Sequence, residues 1–321
     1  MPKISVVIPA YNAMNYLPET LDNLLRQTYD DFEVIIVNDG SSDRIEQWFS
    51  QLQDRRIHLI SQENKGLAEA RNTGIFNAKG EYLAFLDADD LWEPTKLEKQ
   101  LCVLEENPEV GLVYTWVEYI NETGKSTGRI LKHQFEGNVW EKLTECNLVE
   151  CGSVAMVRRS SFDDVGIFDP NLGSCVEDWD MWLRIAARFP FKVVKEVLVY
   201  YRQHSNSGSK NWQGMEKSYN LVIEKAFFSA PKTLERLKNK SYAAAYFCIA
   251  WKPLQSCNRD YKIAIHFRNL AIKYYPRICF SKEFIRLSLA IEIQRWFGTE
   301  GYQKFVKLLH LLRRYTAAIG G

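Results

Sequence analysis

At 321 residues, with 46% hydrophobic and 25% charged residues, the chain has the composition of an ordinary globular protein, with room for one large domain and an appendage or for two modest domains. Of its 41 Lys/Arg and 40 Asp/Glu, 19 and 7 fall from Met215 onward, leaving 22 and 33 in the first 214 residues, so a net charge of +1 conceals an acidic first part and a basic tail. Seven cysteines form no CxxC pair and no even set, which argues against a cysteine-bound zinc and for a reducing compartment, and no run approaches the ~18 apolar residues of a membrane span.

The opening MPKISVVIPAYN lacks a basic segment followed by a long apolar one and reads as a first strand, not a signal peptide. The first half then alternates. Residues 4–8 (ISVVI), 33–37 (EVIIV), 57–60 (IHLI) and 82–86 (YLAFL) are short apolar runs of the kind buried parallel strands need. Between them, residues 17–27, 45–52 and 67–77 carry apolar side chains three or four apart. This order predicts a doubly wound α/β sheet with helices on both faces and ligands beyond the carboxyl ends of the strands. Those ends are polar: PAYN, NDGSSD, SQENKG and DADD. No GxGxxG follows the first strand, which counts against a nicotinamide cofactor.

EPTKLEKQL reads as a helix with Pro94 in its first turn. From 108 to 200, GLVYTWVEYI, GSVAMVRR and FKVVKEVLVYYR predict mixed strands that extend the sheet and wall off an acceptor site. The polar YRQHSNSGSKNW marks a boundary or mobile loop, which divides the chain into domains at 1–210 and 211–321. Beyond it, helical patterns cover about 215–229, 232–252, 258–275, 281–297 and 300–315. The stretch from Ser241 to Pro276 resembles one tetratricopeptide-type hairpin without a second copy, so a helical hairpin closing against the first domain is expected instead of a solenoid.

The sharpest local feature is YLAFLDADDLWEP, which sets Asp87, Asp89 and Asp90 at the end of a buried strand. Crowded carboxylates repel unless a cation or proton intervenes. In an extended chain Asp87 and Asp89 would point one way and Ala88 the other, so the pair could hold Mg²⁺ or Mn²⁺ while Asp90 caps the next helix. Pro9 is expected to end the first ladder and turn Tyr11 and Asn12 outward. Asp39 could accept a ring N–H of a base or simply form a turn. Arg71 offers a fork for a carbonyl, a phosphate or a neighbouring carboxylate, and Lys65 precedes a helix start where backbone N–H groups favour anions. SCVEDWDMWLRIA places Glu177, Asp178 and Asp180 in a helical first turn, where acidic residues also suit the dipole; Asp180 is expected to pair with Arg184.

Taken in order, VVIPAYN, VNDGSSD, NKGLAEARNTGI, LDADD and EDWDMW resemble family 2 glycosyltransferases of the GT-A fold, over about residues 3–205. The resemblance implies a GT-A (Rossmann-like) mixed sheet flanked by helices, here followed by an all-helical region. It implies an inverting, metal-dependent enzyme that moves one sugar from a nucleotide-diphosphate donor, UDP-linked by expectation, to a hydroxyl in polysaccharide or glycoconjugate synthesis. By the same resemblance Ala10 and Tyr11 lie against the base, Arg71 grips a base carbonyl or phosphate, Asp87 lies nearer the ribose and Asp89 binds Mn²⁺ or Mg²⁺; Pro9, Asn12, Asp39, Lys65 and Ala88 are expected to complete the donor site. Asp178 is then the base, with Glu177 as an acceptor contact or the alternative base. In YYRQHSNSGS, similar to the family's YRxH ending, His204 reaches the metal or diphosphate, Arg202 a phosphate, and the Ser/Gly-rich loop closes over the donor. Processive synthases carry a QxxRW motif and membrane spans; here Gln294, Arg295 and Trp296 are adjacent and no span exists, so one sugar per encounter is expected. The expected partners are the nucleotide sugar and a glycan, lipid-linked or polymer acceptor, not nucleic acid. A cytoplasmic protein is expected, with room for peripheral contact at the inner face of a membrane through the basic tail, or for oligomerisation through the tail's aromatics. The competing reading is a partner-binding adaptor with a degenerate nucleotide-sugar site.

Overall fold

Strands β1 (Ile4–Ala10), β2 (Phe32–Asp39), β3 (Ile57–Gln62) and β4 (Tyr82–Phe85) pair in parallel in the order β3-β2-β1-β4. Every residue of β1, β2 and β4 is buried, which is why these runs read as nearly unbroken apolar sequence instead of alternating. The computed structural model describes residues 1–172, 176–204, 214–228, 232–255 and 260–319. They belong to two units, Met1–Leu143 with Asn147–Ser205, and Thr144–Cys146 with Asn206–Gly321.

In the first unit the sheet continues antiparallel from β4 to β8 (Met156–Arg158), then to β6 (Leu112–Asn121), β9 (Phe191–Gln203) and β5 (Leu91–Trp92), with β7 (Ser126–Leu131) hairpinned onto β6. Only the β6–β9 pair in this half is parallel. The helices are α1 (Leu17–Leu24), α2 (Ile45–Phe49), α3 (Leu67–Asn77), α4 (Lys96–Glu106), α5 (Trp140–Glu145), α6 (Arg159–Val165) and α7 (Glu177–Ala186). Helix α3 lies close on β1, because Gly74 has no side chain: a Cβ there would meet Val7 Cγ1 at 2.2 Å.

The sequence-based expectations need four corrections here. β1 runs on through Pro9 to Ala10, paired with Val37 and Asn38. β4 ends opposite Val7, and Pro9 shares Val7's backbone direction, so no neighbour requires the N–H it lacks. Residues 87–90 form a turn closed by the Asp90 N–H on the Asp87 carbonyl at 3.1 Å, not an extended chain. Asp90 precedes the short strand β5 and caps no helix, while α4 starts at Lys96, after Pro94. Finally, GSVAMVRR is half a 3₁₀ turn (Gly152–Val154), and only Met156–Arg158 is strand.

The second unit is helical: α8 (Met215–Phe228), α9 (Glu235–Gln255), α10 (Tyr261–Tyr274) and α11 (Lys282–Ile319), the last interrupted at Gly298 with φ 62°. Asp260 caps α10 by accepting the N–H groups of Lys262 and Ile263. Tyr242 and Tyr246 of α9 pack on Tyr274 of α10 with ring centroids 4.7 and 5.5 Å apart, while buried Ala243, Ala250, Ala264 and Ala271 allow close approach. Among the described residues no helix is long and apolar enough to cross a membrane.

Candidate active site

The Asp87–Asp90 turn is fixed from several directions. The Thr20 hydroxyl of α1 reaches the carbonyls of Ala88 and Asp90, both at 3.0 Å. The Asp87 N–H donates to Ser153 Oγ at 3.0 Å, and that hydroxyl donates onward to Asp90 Oδ2 at 2.6 Å. Asp90 also accepts the Arg202 N–H at 2.9 Å and is wholly buried. Burial, with Asp89 and Asp87 nearby, pushes its carboxyl well above the ordinary range. Asp90 is therefore a structural anchor, while Ala88 is buried and contributes its backbone.

Asp89 remains partly exposed, and its Oδ2 lies 2.8 Å from His204 Nε2. The imidazole packs on Tyr16 at 4.9 Å, and the Arg202 guanidinium lies over that ring at 5.0 Å. Arg202 itself is committed to the protein: Nε to the Asp89 carbonyl at 2.7 Å, Nη1 to the Glu122 carbonyl at 3.1 Å and Nη2 to Glu19 Oε2 at 2.8 Å. A direct phosphate contact would have to displace one of these, so the structure makes Arg202 the brace beneath Asp89. The Ser/Gly-rich segment expected to close over the donor lies outside the described residues.

Arg71 joins the Asp87–Asp90 turn to the acidic start of α7. Its Nη2 meets Asp87 Oδ1 and its Nη1 meets Glu177 Oε1, each at 2.8 Å. Burial opposes the charge, yet the two carboxylates hold the guanidinium above its ordinary value. It is almost wholly enclosed, packed 5.5 Å from the Phe168 ring centroid, with Nε left without a hydrogen-bond partner. The open fork expected for a base or phosphate is thus closed by the protein's own carboxylates. Gly152 makes room for it: a Cβ there would stand 2.6 Å from Nη2. The adjacent Asn72 trades two 2.9 Å hydrogen bonds with the backbone of Phe168, fixing α3 to the segment that precedes α7.

On α7, Glu177 is spoken for, its other oxygen accepting the Val176 N–H at 3.1 Å. Asp178 is buried and its Oδ1 accepts the Trp179 N–H at 2.6 Å. Burial, with Glu177 alongside, pushes its carboxyl up to about 8 against the pull of Arg71. Asp180 pairs with Arg184 at 2.9 Å as expected.

On the same carboxyl edge, two strands from β4, Asp39 accepts Gln62 Nε2 at 2.7 Å and the N–H groups of Lys65 and Gly66 at 2.9 and 2.8 Å. The anion expected at the start of α3 is therefore Asp39 itself, and the Lys65 side chain stands in solvent. Asn12, at φ 50°, accepts the Ser42 N–H and donates its own N–H to Ser41 Oγ, which ties the ends of β1 and β2 together. Tyr11 beside it is 58% exposed, whereas Pro9 and Ala10 are buried.

Sequence reasoning missed Thr20, Tyr16, Asn72, Gly152 and Ser153. The visible signals were faint: an Asn in the middle of a helix, where it is unfavourable without a partner, and a Gly-Ser pair interrupting an apolar run.

Comparisons with known proteins identify the fold and the family. Mannosyltransferase PcManGT from Pyrobaculum calidifontis, solved with GDP-Man and Mn²⁺, superimposes with a TM-score of 0.60 over 97% of this chain and 87% of its own, at 19% identity. S. aureus TarS 1-349 in complex with UDP-GlcNAc gives 0.55 over 85% and 89%, at 16% identity. The fold is that of the GT-A glycosyltransferases. Residues 5–166 match the sequence model described as "Glycosyl transferase family 2", and the chain belongs to that family. A putative teichuronic acid biosynthesis glycosyltransferase of Bacillus subtilis, TuaG, is 32% identical over 70% of this chain and 88% of its own length. An uncharacterized glycosyltransferase of Haemophilus influenzae is 30% identical over 85% and 88%. The chain spans 35%, 30% and 51% of the length of uncharacterized glycosyltransferases of Rickettsia bellii, R. felis and R. conorii.

Proposed function

We propose that this chain is an inverting hexosyltransferase that moves a single sugar from a nucleotide-diphosphate donor, UDP-linked by expectation, to the hydroxyl of a glycan, lipid-linked or polymer acceptor on the cytoplasmic side. The observation that carries the reading is Asp178, a buried carboxyl on α7 next to the Arg71–Glu177 pair; its Oδ1 accepts the Trp179 N–H, and burial and Glu177 push its pKa up to about 8. A carboxylate of that basicity can take the proton of an acceptor hydroxyl. As it does, the acceptor oxygen bonds to the anomeric carbon, the bond from that carbon to the phosphate oxygen breaks, and the electron pair leaves with the diphosphate. Retention by double displacement would need a second carboxylate as nucleophile, but Glu177 is held by Arg71 and Val176, which favours the single, inverting step.

Asp89 and His204 suit a divalent cation: one oxygen and one nitrogen 2.8 Å apart, close to the ~3 Å between neighbouring ligands on ~2.1 Å bonds. Among the described residues no group of three His, Cys, Asp or Glu could hold a metal, so diphosphate oxygens and water would complete the sphere. Bound there, Mn²⁺ or Mg²⁺ would neutralise the charge growing on the leaving diphosphate. Tyr11, exposed at the end of β1, is the platform for the base, with Asn12 and Asp39 shaping the loop beneath it. The donor and metal named for the TarS and PcManGT complexes support this reading, and TuaG's name supports a polymer acceptor.

The test is nucleoside diphosphate release from a panel of nucleotide sugars with Mn²⁺. Turnover should disappear in Asp89→Asn and Asp178→Asn; neither binding nor turnover with any donor would end the proposal. Calorimetry with UDP and Mn²⁺ addresses the adaptor reading, which predicts weak binding without turnover.

A further inference from the structure

Helix α11 has apolar residues on two sides over its first half. Phe284, Leu287, Ala290 and Ile291 are buried within the helical unit. On the other side Ile285, Leu289 and Trp296, spaced by four and seven residues, form one stripe, and Trp296 is 72% exposed. Phe297 and the preceding Phe280 are also exposed, at 70% and 83%. A single exposed apolar side chain means nothing; a helix apolar on two sides needs a second cover.

The charges around the stripe indicate the cover's chemistry. Lys282, Arg286 and Arg295 are exposed along the same half-helix and Arg277 lies just before it. Of the two acids there, Glu292 is occupied by Arg295 at 3.7 Å and by Trp296 Nε1 at 3.1 Å. The whole tail from Met215 carries 19 Lys/Arg against 7 Asp/Glu, so a second copy would bring like charge to like charge. We propose that this face of α11 docks on an anionic lipid bilayer: the aromatic and aliphatic stripe enters the boundary between headgroups and acyl chains while the flanking cations meet the lipid phosphates.

Sedimentation of the full chain with vesicles tests this, using phosphatidylcholine alone and phosphatidylcholine mixed with phosphatidylglycerol. Binding should appear only with the anionic mixture and weaken as salt rises. It should fall at least tenfold in Leu289→Ser/Trp296→Ser and, separately, in Arg286→Glu/Arg295→Glu. All four side chains are exposed, so circular dichroism and melting should match the parent. No binding to anionic vesicles, or binding that the Ser variant leaves intact, overturns the proposal. So does light scattering that finds a dimer which the Ser variant dissolves, since the face would then be covered by a second copy. The readout is binding, not turnover, so its failure leaves the catalytic reading standing.

Discussion

Replacing Gly152 with Ala should impair catalysis through Arg71 without touching donor or acceptor. No left-handed φ binds position 152 to glycine, so alanine meets no backbone penalty and the effect is contact alone. The added Cβ would lie 2.6 Å from Arg71 Nη2 and 3.0 Å from Cζ, where ordinary contact begins near 3.4 Å. The guanidinium must retreat by roughly 0.8–1 Å, and it is enclosed, with both arms in 2.8 Å bonds. A movement of that size stretches the Asp87 bond to about 3.6–3.8 Å, beyond hydrogen bonding. Uncoupling one partner of a buried ion pair costs about 3–5 kcal/mol, part of which relaxation recovers. If about 3 kcal/mol reaches the transition state, kcat/KM falls on the order of 10²-fold. The assay is diphosphate release by Gly152→Ala, Arg71→Lys and the double variant. Because both changes act on one guanidinium, the double variant should lose far less than the product of the single losses. Full activity in Gly152→Ala with an unchanged melting temperature, or strictly multiplicative losses, would refute the reasoning.

Other outcomes follow from the same geometry. The kcat/KM of the parent should rise with pH through about 8 as Asp178 loses its proton, whereas Asp178→Asn should be inactive and flat across that range. The same substitution should stabilise the fold: a carboxyl whose folded pKa is raised contributes stability below its unfolded value near 3.8 and loses it progressively up to about 8. The melting-temperature advantage of Asp178→Asn should therefore be absent at pH 3.5 and largest above pH 8, and an advantage independent of pH would contradict it. Ser153→Ala removes the hydroxyl shared by Asp87 and buried Asp90; a cost of about 1–3 kcal/mol should lower the melting temperature by roughly 2–12 °C. His204→Ala should raise the Mn²⁺ concentration needed for half-maximal turnover at least tenfold, and an unchanged requirement would remove His204 from the cation site.

Much of the fold was legible because buried parallel strands must be apolar along their whole length, which made β1, β2 and β4 visible. The hairpin strand β7 was not, because Ser126–Leu131 is almost entirely exposed and carries no apolar pattern. In the candidate site, the sequence pointed to the polar strand ends but not to the partners that occupy several of them. Residue type reveals that Asp39, Arg71 and Arg202 can grip anions, donors or carboxylates; it does not reveal that they grip Gly66, Glu177 and Glu19. Those partners lie 27, 106 and 183 positions away in the chain, where no local periodicity reaches. Thr20 and Ser153 escaped for the same reason, since each acts on the Asp87–Asp90 turn across more than sixty residues.

The place of β9 bears on how the chain emerges during synthesis. It is the last strand of its unit to be made, yet it lies between β6 and β5, so an incomplete chain has β6 with one unpaired edge and β5 with no strand to join. Its carboxyl end also delivers the Arg202 N–H that Asp90 accepts and the guanidinium arm that braces Asp89. The Asp87–Asp90 edge thus stays unfinished until residue 204 has left the ribosome, and any shortened version of this unit must keep that residue.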